Sequence, residues 1–359
     1  MARQFWYTQT EVAMDELARI TRNRKTDHID INLHKDVQSL TTTGFELFRF
    51  VHNPLPELDL DEIETGIDFL GKKLRSPLLI SSMTGGTPQA SKININLALA
   101  AESHGIALAL GSGRPGLESD EAAKTYGLRK YAPTIPIFAN LGAVQLNYGC
   151  GVEECKRVVE IAQADALILH FNSLQEALQP EGQTNFKGIL NKIGEVCKQM
   201  PVPVIAKEVG WGFSAKAARD LVNAGIACID IAGAGGTSWS EVEKYRNQQS
   251  SRVRISSHFR DWGNPTALAL EEVCAALPKV PVIASGGLRN GLDIAKSLVL
   301  GAGVAGMAGP FIKAAVVSSQ AVAEILTEIN LELRIVMFAV GARNLKELKK
   351  QSLIKKACH

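Results

Sequence analysis

Eight short apolar runs, at residues 78–82, 106–110, 135–140, 166–170, 202–208, 227–232, 280–285 and 303–307, dominate the chain from position 76 onward. The run at 166–170, preceded by Asp165, is typical: it is too short for a helix and reads as a buried parallel strand. Between most of the runs lie stretches with helical spacing of apolar residues, at 91–103, 152–163, 186–199, 214–224, 266–277 and 292–300. Strands alternating with helices predict an α/β fold with a parallel sheet, and eight of them predict a (β/α)8 TIM barrel. A doubly wound sheet is the rival. Such sheets commonly use fewer strands and bind at one switch point, whereas polar groups follow nearly every run here. The 359 residues would fill two average domains, but a barrel with insertions takes them as one.

The chain then divides into an N-terminal extension at 1–75, the barrel at 76–340 and a C-terminal tail at 341–359. Residues 1 to about 20 match no strong periodic template beyond a short helix near 11–20. The following piece packs three cations, Arg22, Arg24 and Lys25, into four positions. It is either a solvated basic turn or a phosphate clamp, since arginine offers a bidentate fork and lysine a mobile point charge. Residues 45–73, with Pro54 and Pro56, read as irregular structure and short strands that lead into the barrel and plug its bottom. The connection from 233 to 264 is far longer than a usual βα loop, which marks a functional lid or a mobile segment.

Composition narrows the function classes. A net charge of +2 offers no basic excess for nucleic acid or a membrane surface, so any anion site must be built locally. The six cysteines show neither CxxC nor paired metal spacing and read as free thiols in a reducing cytoplasm. The first residues lack the apolar core of a signal peptide, and no run reaches membrane-spanning length. The expectation is a soluble, cytoplasmic protein that binds a small molecule.

In a barrel every strand's C-terminal end faces one mouth. The richest end is His170-Phe171-Asn172-Ser173-Leu174-Gln175-Glu176, where an imidazole, two carboxamides and a carboxylate emerge within seven positions. His170 and Asn172 share a face if the strand persists, while Gln175 and Glu176 fall beyond it on the loop rim. A merely polar exit from the strand is the plain alternative. Gly286-Gly287 and Ala308-Gly309-Pro310 occupy the strand-seven and strand-eight loops, the customary phosphate site of this fold. Two tight turns would explain the glycines but not Arg289. Gly233-Ala234-Gly235-Gly236 is no dinucleotide fingerprint, because the third glycine of GxGxxG would fall at Ser238. Lys207 ends an apolar strand and points into the mouth. Glu208 is on the opposite face, so an anionic ligand is the expected partner: an anionic ring system, a Schiff base or a phosphate.

Taken together, these strand ends resemble the type 2 isopentenyl diphosphate isomerases, flavin-dependent (β/α)8 barrels. The matching pieces are Arg24-Lys25-x-Asp27-His28-Ile29, Ser82-Met83-Thr84-Gly85-Gly86, Gly111-Ser112-x-Arg114, Ala139-Asn140-Leu141-Gly142-Ala143, His170-x-Asn172-x-x-Gln175-Glu176, Ala232-Gly233-Ala234-Gly235-Gly236-Thr237-Ser238-Trp239 and Gly286-Gly287-Leu288-Arg289. They span about residues 22 to 310 in the family's order. The joint occurrence of the basic arm, the His-x-Asn-x-x-Gln-Glu run and the Gly-Gly-Thr-Ser-Trp turn is the specific part. Gly113 departs from the pattern, where the family often has glutamine, so no side chain at 113 can reach substrate.

The resemblance implies FMN across the barrel mouth, its ring end near Ser82, Met83, Thr84, Gly85, Ser112, Asn140, Lys207 and Thr237. The FMN phosphate would meet Gly287, Leu288, Arg289, Ala308 and Gly309. It implies a small-molecule diphosphate substrate held by Arg24, Lys25, Ser112, Arg114, His170, Asn172 and Gln175, with Gln175 also catalytic and Mg2+ on Glu176. A lone carboxylate suits Mg2+ only when phosphate oxygens and water complete the shell. The implied activity is interconversion of isopentenyl and dimethylallyl diphosphate by reduced FMN acting as acid and base. NADPH would serve as reductant of the flavin, and the chain would assemble as a homo-oligomer, a tetramer or octamer. Other flavin barrels are the nearest rivals. Nucleotide oxidoreductases attack with a loop cysteine, and 233–264 contains none. An α-hydroxy-acid oxidase would need His258 and Arg260 deep in the mouth, leaving the basic arm without purpose. A non-catalytic phospholigand-binding barrel would carry no flavin.

Overall fold

The structure, a computed structural model, describes residues 24–356. Eight parallel strands close into a barrel: β1 Leu78–Ile80, β2 Ala107–Ala109, β3 Ile137–Gly142, β4 Ala166–Phe171, β5 Val204–Glu208, β6 Cys228–Asp230, β7 Val282–Ser285 and β8 Val304–Met307. Each falls at an expected run. The closure is β8 on β1, with β1 Leu78 opposite Ala305 of β8.

Alternation along the strands builds the site. On β1, Leu79 belongs to the cluster inside the barrel, while Leu78 and Ile80 pack outward under the helices. The same phase puts Phe138, Ile168, Ile205, Cys228, Ile283 and Val304 inside, with Ala107 and Ala109 of β2. Phe69 and Leu74, from the hairpin of Ile67–Phe69 and Lys72–Leu74, close that apolar layer from below. Two residues further along each strand, the same phase delivers the next inward layer: Ser81, Gly111, Asn140, His170, Lys207, Asp230, Ser285 and Gly306. A dry floor therefore lies beneath a polar mouth.

Helices ring the strands where helical spacing predicts them, and their starts are capped. Thr87 and Ser214 accept from the amides of Ala90 and Ala217 at the heads of Pro88–His104 and Ala215–Asn223. Asn290 does the same for Asp293 at the head of Gly291–Val299. After β8 a 21-residue helix, Ser319–Ala339, follows Gly309–Val317. Near the C-terminal end of the described chain, Leu353–Lys355 pairs antiparallel with Phe48–Phe50.

Two segments outside the strands bear on the mouth. Residues 24–34 form a helix rather than a basic turn. The connection 233–264, expected as a lid or a mobile segment, carries helices Trp239–Arg246 and Ser250–Ser257. These two segments meet. Ser39 and Ser238 amides donate to Gly236 and Val37 carbonyls, and Gln38 bridges Thr237, so the arm is stitched to the insertion above the barrel. The expected short helix at 11–20 lies outside the described residues.

Candidate active site

Above the polar layer opens a cavity of about 550 Å³. Arg24, Lys25, Ser82, Met83, Thr84, Ser112, Arg114, Asn140, His170, Asn172, Gln175, Glu176, Lys207, Thr237, Gly287, Leu288, Arg289, Ala308 and Gly309 all line it. Gly85, expected beside the flavin ring, does not. A Cβ placed there would sit 2.4 Å from the Tyr126 ring, so that glycine makes room for a buried tyrosine.

One wall is built of charged and amide side chains. The Asn140 amide donates to Ser82 Oγ at 2.9 Å, which turns its oxygen to His170 Nδ1 at 2.7 Å. His170 Nδ1 therefore carries the proton, and Nε2 is the bare nitrogen. Burial, then the charges of Lys207, Lys25 and Arg24, lower this imidazole to about 3, so it is neutral at physiological pH. Burial also lowers the Lys25 ammonium to about 7, with Arg24 adding to the shift and Glu118 opposing it.

Gln175 and Glu176 are not on an open rim as expected. They lie on the short helix Ser173–Leu178 and are only 7% and 6% exposed. The insertion and the segment at 179–183 cover them. Glu176 accepts from Asn172 Nδ2 at 2.9 Å through one oxygen, and from Gln179 Nε2 at 2.5 Å and the Gln183 amide at 2.6 Å through the other. Asn172 Oδ1 is buried and has no partner among the described residues. Gln175 Nε2 donates to Glu243 Oε1 at 2.9 Å. Glu243 is fully buried on helix Trp239–Arg246, and also takes His28 Nε2 at 3.1 Å and Arg246 Nη1 at 2.6 Å. Burial raises its pKa, but the His28 and Arg246 contacts outweigh this and hold it near 2. Trp239 meets the His28 ring edge-on at 5.1 Å.

The other wall is mostly backbone. Gly286 and Gly287 have φ of +105° and +78°, and a Cβ on either would strike the backbone of Gly233 or Gly235 at 2.2–2.4 Å. Gly309 heads the helix Gly309–Val317, and its Cβ position is open space. Arg289 donates to the Gln38 side chain at 2.7 Å. Lys207 has a partner that the sequence reading left out: Asp230 of β6, 3.4 Å away and fully buried. Its ammonium also donates to the Glu208 carbonyl at 3.0 Å. The Glu208 carboxylate faces away, as strand alternation requires, and accepts the amides of Val209, Gly210, Trp211 and Gly212 at 2.6–3.0 Å.

Asp230 and Glu243 are the principal residues that sequence reasoning missed. The phase of β6 was a usable signal for Asp230. Glu243 had none, because its short polar helix shows no apolar periodicity.

The features fit a flavin mononucleotide. The cavity volume suits a cofactor, glycine amides and a helix start suit a phosphate, the open space at Gly309 is a cradle that a side chain would fill, and Lys207 offers a cation. No group of three or more His, Cys, Asp or Glu side chains among the described residues could hold a metal by itself. Glu176 with the unpartnered Asn172 Oδ1 supplies two hard oxygens, a partial shell of the kind Mg2+ completes with water and phosphate. His258 and Arg260 do not line the cavity, and Arg260 is turned to Asp36 at 2.6 Å.

The family model described as FMN-dependent dehydrogenase matches residues 160–355. Solved structures share the architecture. A lactate oxidase of Pediococcus acidilactici superposes with a TM-score of 0.67 at 18% identity, covering 96% of this chain and 95% of that one. A mandelate oxidase gives 0.62 at 17%, covering 96% and 99%. The class is thus that of the FMN-dependent barrels. Sequence relatives are more specific. Isopentenyl-diphosphate delta-isomerases of Nostoc sp., Oceanobacillus iheyensis and Rickettsia africae are 50%, 48% and 49% identical. The alignments cover 92% of this chain and 94–96% of theirs. The chain belongs to the isopentenyl-diphosphate delta-isomerase family.

Proposed function

We infer that this enzyme interconverts isopentenyl diphosphate and dimethylallyl diphosphate by a 1,3-proton shift at the barrel mouth. The observation that carries the reading is that one cavity is lined both by the cations Arg24, Lys25 and Arg114 and by the glycine loops and Lys207. Lys207, Asn140, Ser112, Thr237 and residues 82–84 would hold the ring end of FMN, and Gly287, Leu288, Arg289, Ala308 and Gly309 its phosphate. Bound in its reduced form, that group supplies an electron-rich ring and acid–base capacity beside an unactivated double bond.

The chain's own residues do the rest. Arg24, Lys25 and Arg114 neutralise the diphosphate, and Ser112, His170 and Asn172 orient it. His170 is neutral in the free enzyme, and an arriving anion raises its proton affinity. Glu176 would hold Mg2+, which would supply positive charge to the diphosphate, and Asn172 Oδ1, without a partner among the described residues, lies in the same cluster. Gln175 stands between the cavity and the buried Glu243 carboxylate, held at 2.9 Å. An amide backed by a fixed negative charge suits a position beside the allylic carbon that gives up its proton. Burial of this wall excludes water from a developing tertiary cation. NADPH acts as reductant and is not consumed in proportion to product.

The test is an absorbance spectrum of the purified protein and an isopentenyl diphosphate assay under oxidising and reducing conditions, with and without chelator. Flavin bands, activity only when reduced, and loss on chelation restored by Mg2+ are expected. Steady turnover by the oxidised enzyme, or one NADPH consumed per product, overturns the reading.

A further inference from the structure

Lys25 enters the cavity from the N-terminal arm, but the groups that fix it come from the barrel. Its ammonium donates to the Ser112 carbonyl at 2.8 Å and to the Tyr126 hydroxyl at 3.0 Å. The Tyr126 hydroxyl spends its own proton on the same Ser112 carbonyl at 2.6 Å. The three groups close a triangle, and the ammonium lies 5.7 Å from the ring centroid. An ammonium has three N–H bonds. With two committed to the triangle and the stem coming from the arm, the direction of the third is set.

Tyr126 is 2% exposed and does not line the cavity. Its ring is held by the absence of side chains opposite. A Cβ at Gly85 would come within 2.4 Å of Cε1, and one at Gly86 within 3.3 Å of the hydroxyl. The Gly86 amide donates to the neighbouring Thr125 hydroxyl at 3.0 Å. Phenylalanine would fill this space as well. The Ser112 carbonyl alone would satisfy a buried hydroxyl, so packing does not explain why the oxygen also faces Lys25.

We propose that Tyr126 is a positioning residue for the diphosphate end of the substrate, its hydroxyl fixing the Lys25 ammonium so that one N–H is aimed at the anion. This rests on the reading that the arm clamps a diphosphate. It assigns Tyr126 to substrate affinity and not to the proton shift.

The experiment compares Tyr126→Phe, Lys25→Ala and the double variant as FMN-loaded enzymes. Tyr126→Phe is expected to raise KM for isopentenyl diphosphate roughly ten- to 150-fold, as loss of a hydrogen bond to a charged group does. The inhibition constant of inorganic pyrophosphate rises by the same factor, while kcat stays within about twofold and Tm and the flavin spectrum are unchanged. In the Lys25→Ala background, adding Tyr126→Phe changes KM by less than about twofold, because the hydroxyl then has nothing to aim. An equal rise in both backgrounds makes the hydroxyl structural and overturns the proposal. So does a fall in Tm with KM unchanged. If Lys25→Ala raises KM and Tyr126→Phe does not, the clamp reading stands and this inference fails. If Lys25→Ala leaves KM unchanged, the clamp reading itself fails and takes the inference with it.

Discussion

The two walls of the mouth are built by opposite means. On the side of β6, β7 and β8 the chain withdraws: Gly233, Gly235, Gly286 and Gly287 let two loops interlock backbone on backbone, and Gly309 leaves a helix start bare. On the side of β2, β4 and the arm the chain crowds in, with two arginines, a lysine, a histidine and a buried carboxylate network. A backbone wall has fixed partial charges and no rotamers to order. A side-chain wall carries full charges that must be held apart, desolvated and aimed. The contrast predicts how each fails. Damage to the interlocked glycine loops of the backbone wall costs fold and cofactor together, whereas damage to the side-chain wall costs substrate affinity or rate while the fold survives.

The largest effect falls on the crowded wall. Gln175→Ala is expected to lower kcat about 10²–10⁴-fold, the usual span for a group that handles a proton. Glu243 keeps His28 and Arg246 as partners, so no buried carboxylate is orphaned, and Tm and FMN binding should hold. Steady-state kinetics beside a melting curve decide it: a kcat within a few-fold of the parent removes Gln175 from the proton path.

Next is Gly287→Ala on the backbone wall. Alanine at φ +78° costs about 1–2 kcal/mol. Its methyl would also meet Gly235 backbone at 2.4 Å, an overpacking cost on the order of 1–3 kcal/mol. Tm and flavin content should fall together. Loss of flavin with an unchanged Tm would show that the two loops are not interlocked as described.

Arg24→Ala is smaller, about 1.5–3 kcal/mol in kcat/KM for one charged hydrogen-bonding group, expressed mainly in KM. Burial lowers the Arg24 pKa, with Glu176 and Glu181 opposing the shift. Unchanged kinetics would leave the arm as a roof and nothing more.

The same contrast explains what could be read from the sequence. The barrel was legible because strands buried on both faces must be apolar throughout, and strand phase then carries Asn140, His170 and Lys207 inward without further information. The backbone wall was legible because glycines at the ends of strands seven and eight, with Arg289 beside them, fall at the customary phosphate site of this fold. The crowded wall was readable only as a resemblance. Its residues come from four separate places, and their pairing depends on tertiary contacts. Ile29 and Leu33 are the only apolar stripe that marks residues 24–34 as a helix, and the cations next to them suggested a turn. Gln175 and Glu176 were placed on a rim because nothing near them announces that helix Trp239–Arg246 will cover them. Asp230 was in phase to be found, but Lys207 was weighed only against its sequence neighbour.

The smallest effect on the fold, and the sharpest probe of the backbone wall, is Gly309→Ala. Gly309 does not need a positive φ, and among the described residues nothing lies within 4 Å of its Cβ position. The methyl therefore costs the protein nothing, and replacing glycine near a helix start is neutral to slightly stabilising, by about 0.4–1 kcal/mol at most. Only a ligand pressed against that amide can object. If the FMN phosphate sits at the head of Gly309–Val317, the variant should melt at or just above the parent temperature and yet bind FMN about tenfold more weakly, the scale of one lost close contact to an anion. Gly287→Ala must lose both properties, Gly309→Ala only one. Flavin titration of the two apoproteins beside their melting curves makes the comparison. Parent-like FMN affinity in Gly309→Ala would move the phosphate away from this helix start and toward the Gly287 and Arg289 side of the mouth.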